Sequence, residues 1–209
     1  MSPFSKLINI ASIQLLQKNL NGNAYIANEL ETRLLEHLPQ SGVSTKQLDM
    51  LRDCSAETLV SETLPYQDAT FDCVVAHFTL LWHKDIAAFF KEVRRILMPN
   101  GVFLFSTLGI KSAHEMERLG DLLLQASFHQ LVIDRESLQL QYDNDSQLFA
   151  DLASSSLNDQ LVQVVTEPSG QITATLEVIY GYALGKVISP AFPGKIEIPV
   201  ENITLRKFK

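Results

Sequence analysis

A chain of 209 residues, 46% hydrophobic and 20% charged, can bury one core of ordinary size, and its composition is that of a globular protein. Its formal charge of −7 excludes a global positive field of the kind that draws a protein to nucleic acid phosphates or an anionic membrane surface. Cys54 and Cys73 form no CxxC pair and the five histidines show no metal-ligand spacing, so reduced thiols, no metal site and a cytoplasmic setting are expected.

The N-terminal stretch MSPFSKLINIASIQLL has one lysine and an apolar run broken by Asn9, Ser12 and Gln14. Without a small-residue cleavage site it reads as part of the folded chain. No run approaches the roughly 20 apolar residues of a membrane helix. From Tyr25 to Leu38 the positions Ile26, Leu30, Leu34, Leu35 and Leu38 share a helical face, Glu29, Glu31, Arg33 and Glu36 lie mostly away from it, and Pro39 ends the helix. Residues 40–62 are polar and weakly periodic, with one short element expected at 47–52.

Phe71 to Ala76 is a β-branched and aromatic run of buried-strand type. In KDIAAFFKEVRRIL the residues Ile86, Phe89, Phe90, Val93, Ile96 and Leu97 recur at helical steps. Asp85 at the start and Arg94 and Arg95 at the end suit the helix dipole. MPNG is a stop and a turn, and VFLFST is a strand covered on both faces. A second amphipathic helix spans about 112–126. Alternation follows around Leu138, Leu140 and Tyr142, then a helix over DSQLFADLASSSL and a long strand over GQITATLEVIYGYALGK. The tail, with Pro193 and Pro199, reads as extended. This alternation predicts one α/β layered domain over 1–209, its last strands pairing antiparallel at one edge of the sheet.

The core stretch resembles the class I methyltransferase pattern in two places. LPYQDATFD matches the lead into that sheet's fourth strand, and RRILMPNGVFLFST matches the link from a helix to its fifth. The continuation is narrower. LLWHKDIAAFFKEVRRIL, FSTLG, RLGDLLLQASF, LQLQYDND and ATLEVIYGYALGK are similar, in this order, to landmarks of the malonyl-[acyl-carrier protein] O-methyltransferase family of biotin synthesis, over about residues 64–187. ETRLLEHL and GKIEIPVENI add weaker support, and a mitochondrial complex I assembly factor is a related branch. The resemblance implies an incomplete Rossmann-like sheet, with 1–63 a reduced N-terminal part, 64–187 the methyltransferase-like core and 188–209 a tail. It also implies S-adenosylmethionine as cofactor and acyl carrier protein as partner, the methyl group going to the free carboxylate of a malonyl thioester. That carboxylate is already ionised at neutral pH, so alignment is the main requirement.

One part of the pattern is missing. A DxGxGxG loop after the first strand lets the backbone approach the cofactor. The glycines here, at 22, 42, 101, 109, 120, 170, 181, 185 and 194, never form that spacing. Only 25 residues separate Leu38 from Leu64, whereas three strands and two helices need on the order of 40. The early strands are therefore reduced or missing. The fourth strand is expected to be a sheet edge that residues 1–63 cover or through which two chains pair.

By resemblance, Asp49 stands for the acidic residue that holds the ribose, and Ser55 replaces the Asp that meets the adenine. His77 follows the strand where α/β sheets bind ligands and would act as a general base or line the cofactor pocket. Tyr25, Trp82 and Tyr180 are the acyl-pocket candidates, each with core packing as the alternative. Asp72 is expected to satisfy local backbone rather than to act in catalysis. Lys91, Arg94 and Arg95 form a basic cluster that either meets an acidic carrier protein or is a solvated helix face. Three functional classes follow: an active methyltransferase with a rebuilt cofactor site, a non-catalytic relative that binds a carrier or another protein, and a degenerate gene product.

Overall fold

The computed structural model describes residues 10–20, 25–36, 46–108, 113–155, 157 and 162–185. Its elements in chain order are α1 (Ile10–Asn19), α2 (Tyr25–Glu36), β1 (Gln47–Asp49), α3 (Met50–Asp53), α4 (Ala56–Leu59), β2 (Phe71–His77), α5 (Ile86–Ile96), β3 (Leu97–Leu108), α6 (Ala113–Gln125), β4 (Phe128–Tyr142), α7 (Asp145–Ser154), β5 (Val162–Thr166) and β6 (Ile172–Gly185). A 3-10 turn, Thr79–Trp82, follows β2. The proline-containing tail lies outside the described residues.

Among the described residues six strands form one sheet in the order β1-β2-β3-β6-β4, with β5 also pairing β6. The β1-β2 and β2-β3 pairs are parallel, and β6 runs antiparallel to β3, β4 and β5. Five strands therefore share one direction. The single reversed strand is one place in from the edge, between β3 and β4. The free side of β2 is taken by β1, which comes from within residues 1–63. MPNG does turn, as a bulge: the rung Phe71↔Leu97 is followed by Cys73↔Val102, and Asn100 has a φ of 61°.

Local chemistry explains the best-formed elements. Asp85 caps α5 by accepting from the Ala88 N–H at 3.0 Å, and Arg94 and Arg95 occupy its last turn. Its face of Ile86, Phe89, Phe90, Val93 and Ile96 is buried. Side chains alternate across a strand, so Phe103 and Phe105 of β3 point to one face and Ser106 to the other. On the first face the Phe103 ring lies 5.9 Å from Phe90, 5.3 Å from Phe105 and 5.4 Å from Phe128. The second face meets α2.

Arg95 fastens the loop before β2. Its guanidinium donates to the Leu64 carbonyl at 3.1 Å, the Tyr66 carbonyl at 2.8 Å and the Asp68 carboxylate at 2.7 Å, while Glu92 pairs with it from within α5. Glu92 also accepts from the Leu64 N–H at 2.8 Å, and the Arg95 bond holds its carboxyl below the usual range. Arg95→Ala is expected to cost about 2 kcal/mol, since two carbonyls and two carboxylates lose one donor together. Urea denaturation of the variant measures it, and an unchanged midpoint would show that the loop needs no clamp.

Candidate functional site

Open α/β sheets bind ligands beyond the carboxyl ends of their parallel strands. Here those ends carry Asp49 on β1, His77 on β2 and Ser106 to Leu108 on β3.

Asp49 is the N-cap of α3, accepting from the Leu51 N–H at 3.1 Å and the Arg52 N–H at 3.3 Å. Its carboxyl is pushed up to about 6, first by burial and next by the charge of Glu31. Arg52 Nε stands 3.5 Å from Asp49 Oδ2 and donates to Glu31 Oε1 at 2.9 Å, and its Nη2 reaches the other Glu31 oxygen, a fork-to-carboxylate pair. Ser55 caps the next turn, α4, by accepting from the Thr58 N–H at 3.2 Å. Asp49 thus stands at the end of β1, Ser55 follows beyond α3, and both serve as helix caps.

His77 does not line a cofactor pocket, which corrects the sequence expectation. Its side chain is fully buried, with Nε2 3.0 Å from the Ala27 carbonyl and Nδ1 2.6 Å from Ser106 Oγ. A carbonyl can only accept, so Nε2 carries the hydrogen and Nδ1 accepts from the Ser106 hydroxyl. This neutral tautomer agrees with a pKa lowered to about 4, chiefly by burial. Phe78, next in sequence, holds a φ of 58°, disfavoured for a residue with a Cβ. Its N–H bond to the Ser106 carbonyl, 3.1 Å, and its stacking on His77 at 3.9 Å keep it there.

The acyl-pocket trio separates. Tyr25 is 60% exposed and lines a cavity of about 370 Å³ with Gln139, Leu140, Gln141 and Tyr142. Core packing is therefore wrong for Tyr25. Behind this cavity Tyr142 donates to Asp151 at 2.7 Å, and Asp151 also accepts from the Ile26 N–H at 3.4 Å, joining β4, α7 and α2. Trp82 and Tyr180 are core residues instead, 4% and 3% exposed, and neither lines that cavity. Burial raises the Tyr180 pKa, with the charge of Glu136 adding to it.

Asp72 satisfies backbone that is distant in the chain rather than local, both carboxylate oxygens accepting from the Lys46 N–H at 3.1 Å and so fixing the approach to β1. The basic cluster is not one surface. Arg95 is committed to its loop, Arg94 donates to the Leu97 carbonyl at 2.9 Å, and only Lys91 is exposed. Among the described residues no group of three or more His, Cys, Asp or Glu could hold a metal ion, and no helix is long and apolar enough to cross a membrane.

Of the charged pair Glu31 and Arg52, the sequence pattern puts Glu31 away from the apolar face of its helix, which the structure corrects, and does not single out Arg52. Glu31 is only 8% exposed although its neighbours Glu29 and Arg33 are partly open to solvent. The available signal was its spacing, four residues after Ala27 and three before Leu34, on the inner rim of the helix.

To hold S-adenosylmethionine here, Asp49 and Ser55 would share their capping oxygens with the cofactor. β1 passes into α3 with no glycine turn, the Asp49 and Ser55 oxygens cap helices, and Ala27 and Glu31 of α2 bond to the His77 ring and to Arg52 of α3.

The family described as a methyltransferase domain matches residues 12–105. Malonyl-[acyl-carrier protein] O-methyltransferase 1 of Coxiella burnetii is 29% identical, covering 75% of this chain and 70% of that protein. The mitochondrial arginine-hydroxylase NDUFAF5 of Danio rerio is 26% identical, covering 63% and 50%. The chain thus spans between half and 70% of the length of these two relatives. Among solved structures, YcgJ of Bacillus subtilis is 14% identical with a TM-score of 0.45, covering 60% of this chain and 68% of that one. The sheet, with β6 reversed beside β3, and the matched domain together define a methyltransferase-type α/β protein of class I. Within that class the chain is similar in kind to malonyl-[acyl-carrier protein] O-methyltransferases, at 26–30% identity.

Proposed function

We propose that this chain is an S-adenosylmethionine-dependent methyltransferase whose acceptor is a malonyl thioester on acyl carrier protein, a cytoplasmic step of biotin synthesis carried out by one domain over 1–209. The observation that supports the reading most is the coincidence of two orders. The motifs of residues 64–187 follow the family sequence, and the strands that they form follow the sheet order β2-β3-β6-β4. Asp49, the last residue of β1, and Ser55, the cap of α4, are the residues for the cofactor's nucleoside. Tyr25, at the mouth of the cavity beside Tyr142, is the residue for the acceptor. The missing glycine loop makes this a degenerate cofactor site. A homodimer through the edge of β2 is not part of the reading, because β1 occupies that edge. A purely non-catalytic binding module is not favoured either, since the matched domain reaches from α1 into β3.

Isothermal titration of the whole chain with S-adenosylmethionine and S-adenosylhomocysteine tests the cofactor, and methyl incorporation into malonyl-acyl carrier protein tests the acceptor. Saturable heat with both ligands, and incorporation into malonyl- but not acetyl-acyl carrier protein, is the expected result. No heat at millimolar ligand would overturn the reading.

A further inference from the structure

The cavity beside Tyr25 is lined by four consecutive residues of β4, Gln139, Leu140, Gln141 and Tyr142. Successive side chains of a strand point to opposite faces of its sheet, so a cavity on one face would meet only every second residue. This cavity therefore lies along the outer edge of β4. β6 pairs the inner edge through this stretch, from Gln139↔Thr175 to Tyr142↔Ile172, and among the described residues no strand pairs the outer one. Alternate residues of such an edge turn their backbone N–H and C=O groups outward. The earlier part of β4 is guarded against pairing by a bulge between His129 and Val132 and by the charges of Asp134, Arg135 and Glu136. Residues 139–142 carry neither charge nor bulge. Their level in the sheet also matters. Leu108, the end of β3, is opposite Val178, which is opposite Glu136, so Gln139 to Tyr142 lie three to six residues, roughly 10–20 Å, beyond the carboxyl end of β3.

We propose that this edge is the cradle for the pantetheine arm of acyl carrier protein, the uncharged, amide-bearing chain on which the acyl thioester is carried, and that it does not hold the malonyl carboxylate. This rests on the methyltransferase reading above. The cavity of about 370 Å³ is lined by two carboxamides, two phenols and Leu140, so it suits neutral amides and offers a carboxylate no counter-charge. An amide chain laid along the edge exchanges hydrogen bonds with the outward backbone groups, as an added strand does. Gln171 holds the Gln141 carboxamide at 3.2 Å and Asp151 holds the Tyr142 hydroxyl at 2.7 Å, so the wall is set before the arm arrives. An arm that runs back along β4 brings its thioester toward the ends of the parallel strands, where such sheets hold their ligands.

The experiment titrates wild type and Tyr25→Ala with pantetheine and with malonyl-pantetheine, follows backbone hydrogen exchange residue by residue with and without pantetheine, and measures the heat of S-adenosylhomocysteine on the same proteins. Pantetheine is expected to slow exchange within residues 139–142 and not in the charged stretch 134–136. Tyr25 is exposed, so Tyr25→Ala leaves the core alone. It should weaken both ligands by the same factor, about tenfold for a lost aromatic wall. A loss confined to malonyl-pantetheine would mean that the cavity takes the carboxylate. Pantetheine bound equally by both proteins, or without protection of 139–142, would overturn the cradle. An uncharged alanine peptide that protects those residues where pantetheine does not would make the edge a peptide-docking strand, and would overturn it too. Heat from S-adenosylhomocysteine beside any of these results leaves the methyltransferase reading standing. No such heat overturns that reading, whereas protection by pantetheine upholds the cradle without it.

Discussion

Replacing Gly181 with alanine is expected to destabilise the protein by about 3 kcal/mol or more, near the upper end of what overpacking a core costs. Gly181 lies directly opposite Phe105 in the β3-β6 pair, and a Cβ built on it would stand 2.0 Å from the Phe105 ring. The ring has nowhere to retreat. It is fully buried and packs at 5.3 Å against Phe103 and 5.9 Å against Phe90. Elsewhere in a strand, glycine to alanine gains about 0.5–1 kcal/mol through backbone entropy, so even the sign of the result is informative. Phe105→Leu should relieve the clash. The double variant is then expected to lose less than the two single losses added together. Urea denaturation of the four proteins closes the cycle, and losses that add to within about 0.5 kcal/mol would show that the ring and the glycine do not press on each other.

Phe105 and Gly181 also illustrate what could be read from the sequence. Strands β2, β3 and β6 and helix α5 were legible because their apolar spacing is local and each has a clear stop: Asp85 before α5, the MPNG bulge after it, and Gly185 ending β6. β5 was missed. Val162 is its one buried residue, Val164 and Val165 are 44% and 60% exposed, and a short solvated strand leaves almost no pattern. β1 was expected only as an unspecified short element, because three residues hold no period. It is a strand because Gln47, Leu48 and Asp49 find Cys73, Val74 and Val75 beside them.

The candidate site was less legible than the fold, and for a physical reason. Its decisive contacts join residues far apart in the chain: His77 with Ala27 and Ser106, Arg52 with Glu31, and Tyr142 and Ile26 through Asp151. A polar residue at the end of a strand says where a ligand site belongs, but not whether another part of the chain has taken its hydrogen bonds. Asp49 shows both halves of this. Its place at a strand end follows the family pattern, while its role as a cap depends on α3 starting at the next residue. Tyr25 shows the reverse, since only the tertiary fold brings it out of the core and beside Tyr142.

Stability is expected to fall as the pH is lowered from about 6 towards 4, by about 1.4 kcal/mol per pH unit, the slope that one net proton produces. Two buried rings drive the loss. His77 and His83 both have pKa values lowered to about 4, mainly by burial, so between about 6.5 and 4 the unfolded chain takes up two protons that the folded one refuses. Their contribution is complete above the unfolded value and disappears as the pH falls through the folded one. Asp49 opposes them. Its carboxyl is pushed up to about 6, so between 3.8 and 6 the folded chain holds a proton that the unfolded chain has released, and acid favours folding through this group. Two protons against one leaves the predicted slope. His83 stacks on Phe89 at 4.1 Å in the core and belongs to no ligand contact, so His83→Gln removes one of the two driving protons without touching the ends of the strands. Its profile should be nearly flat between pH 6 and 4.5, whereas Asp49→Asn should roughly double the wild-type slope. Urea midpoints at half-unit steps of pH measure all three, and a wild-type protein as stable at pH 4.5 as at pH 6 would mean that the two histidines accept protons in the folded state.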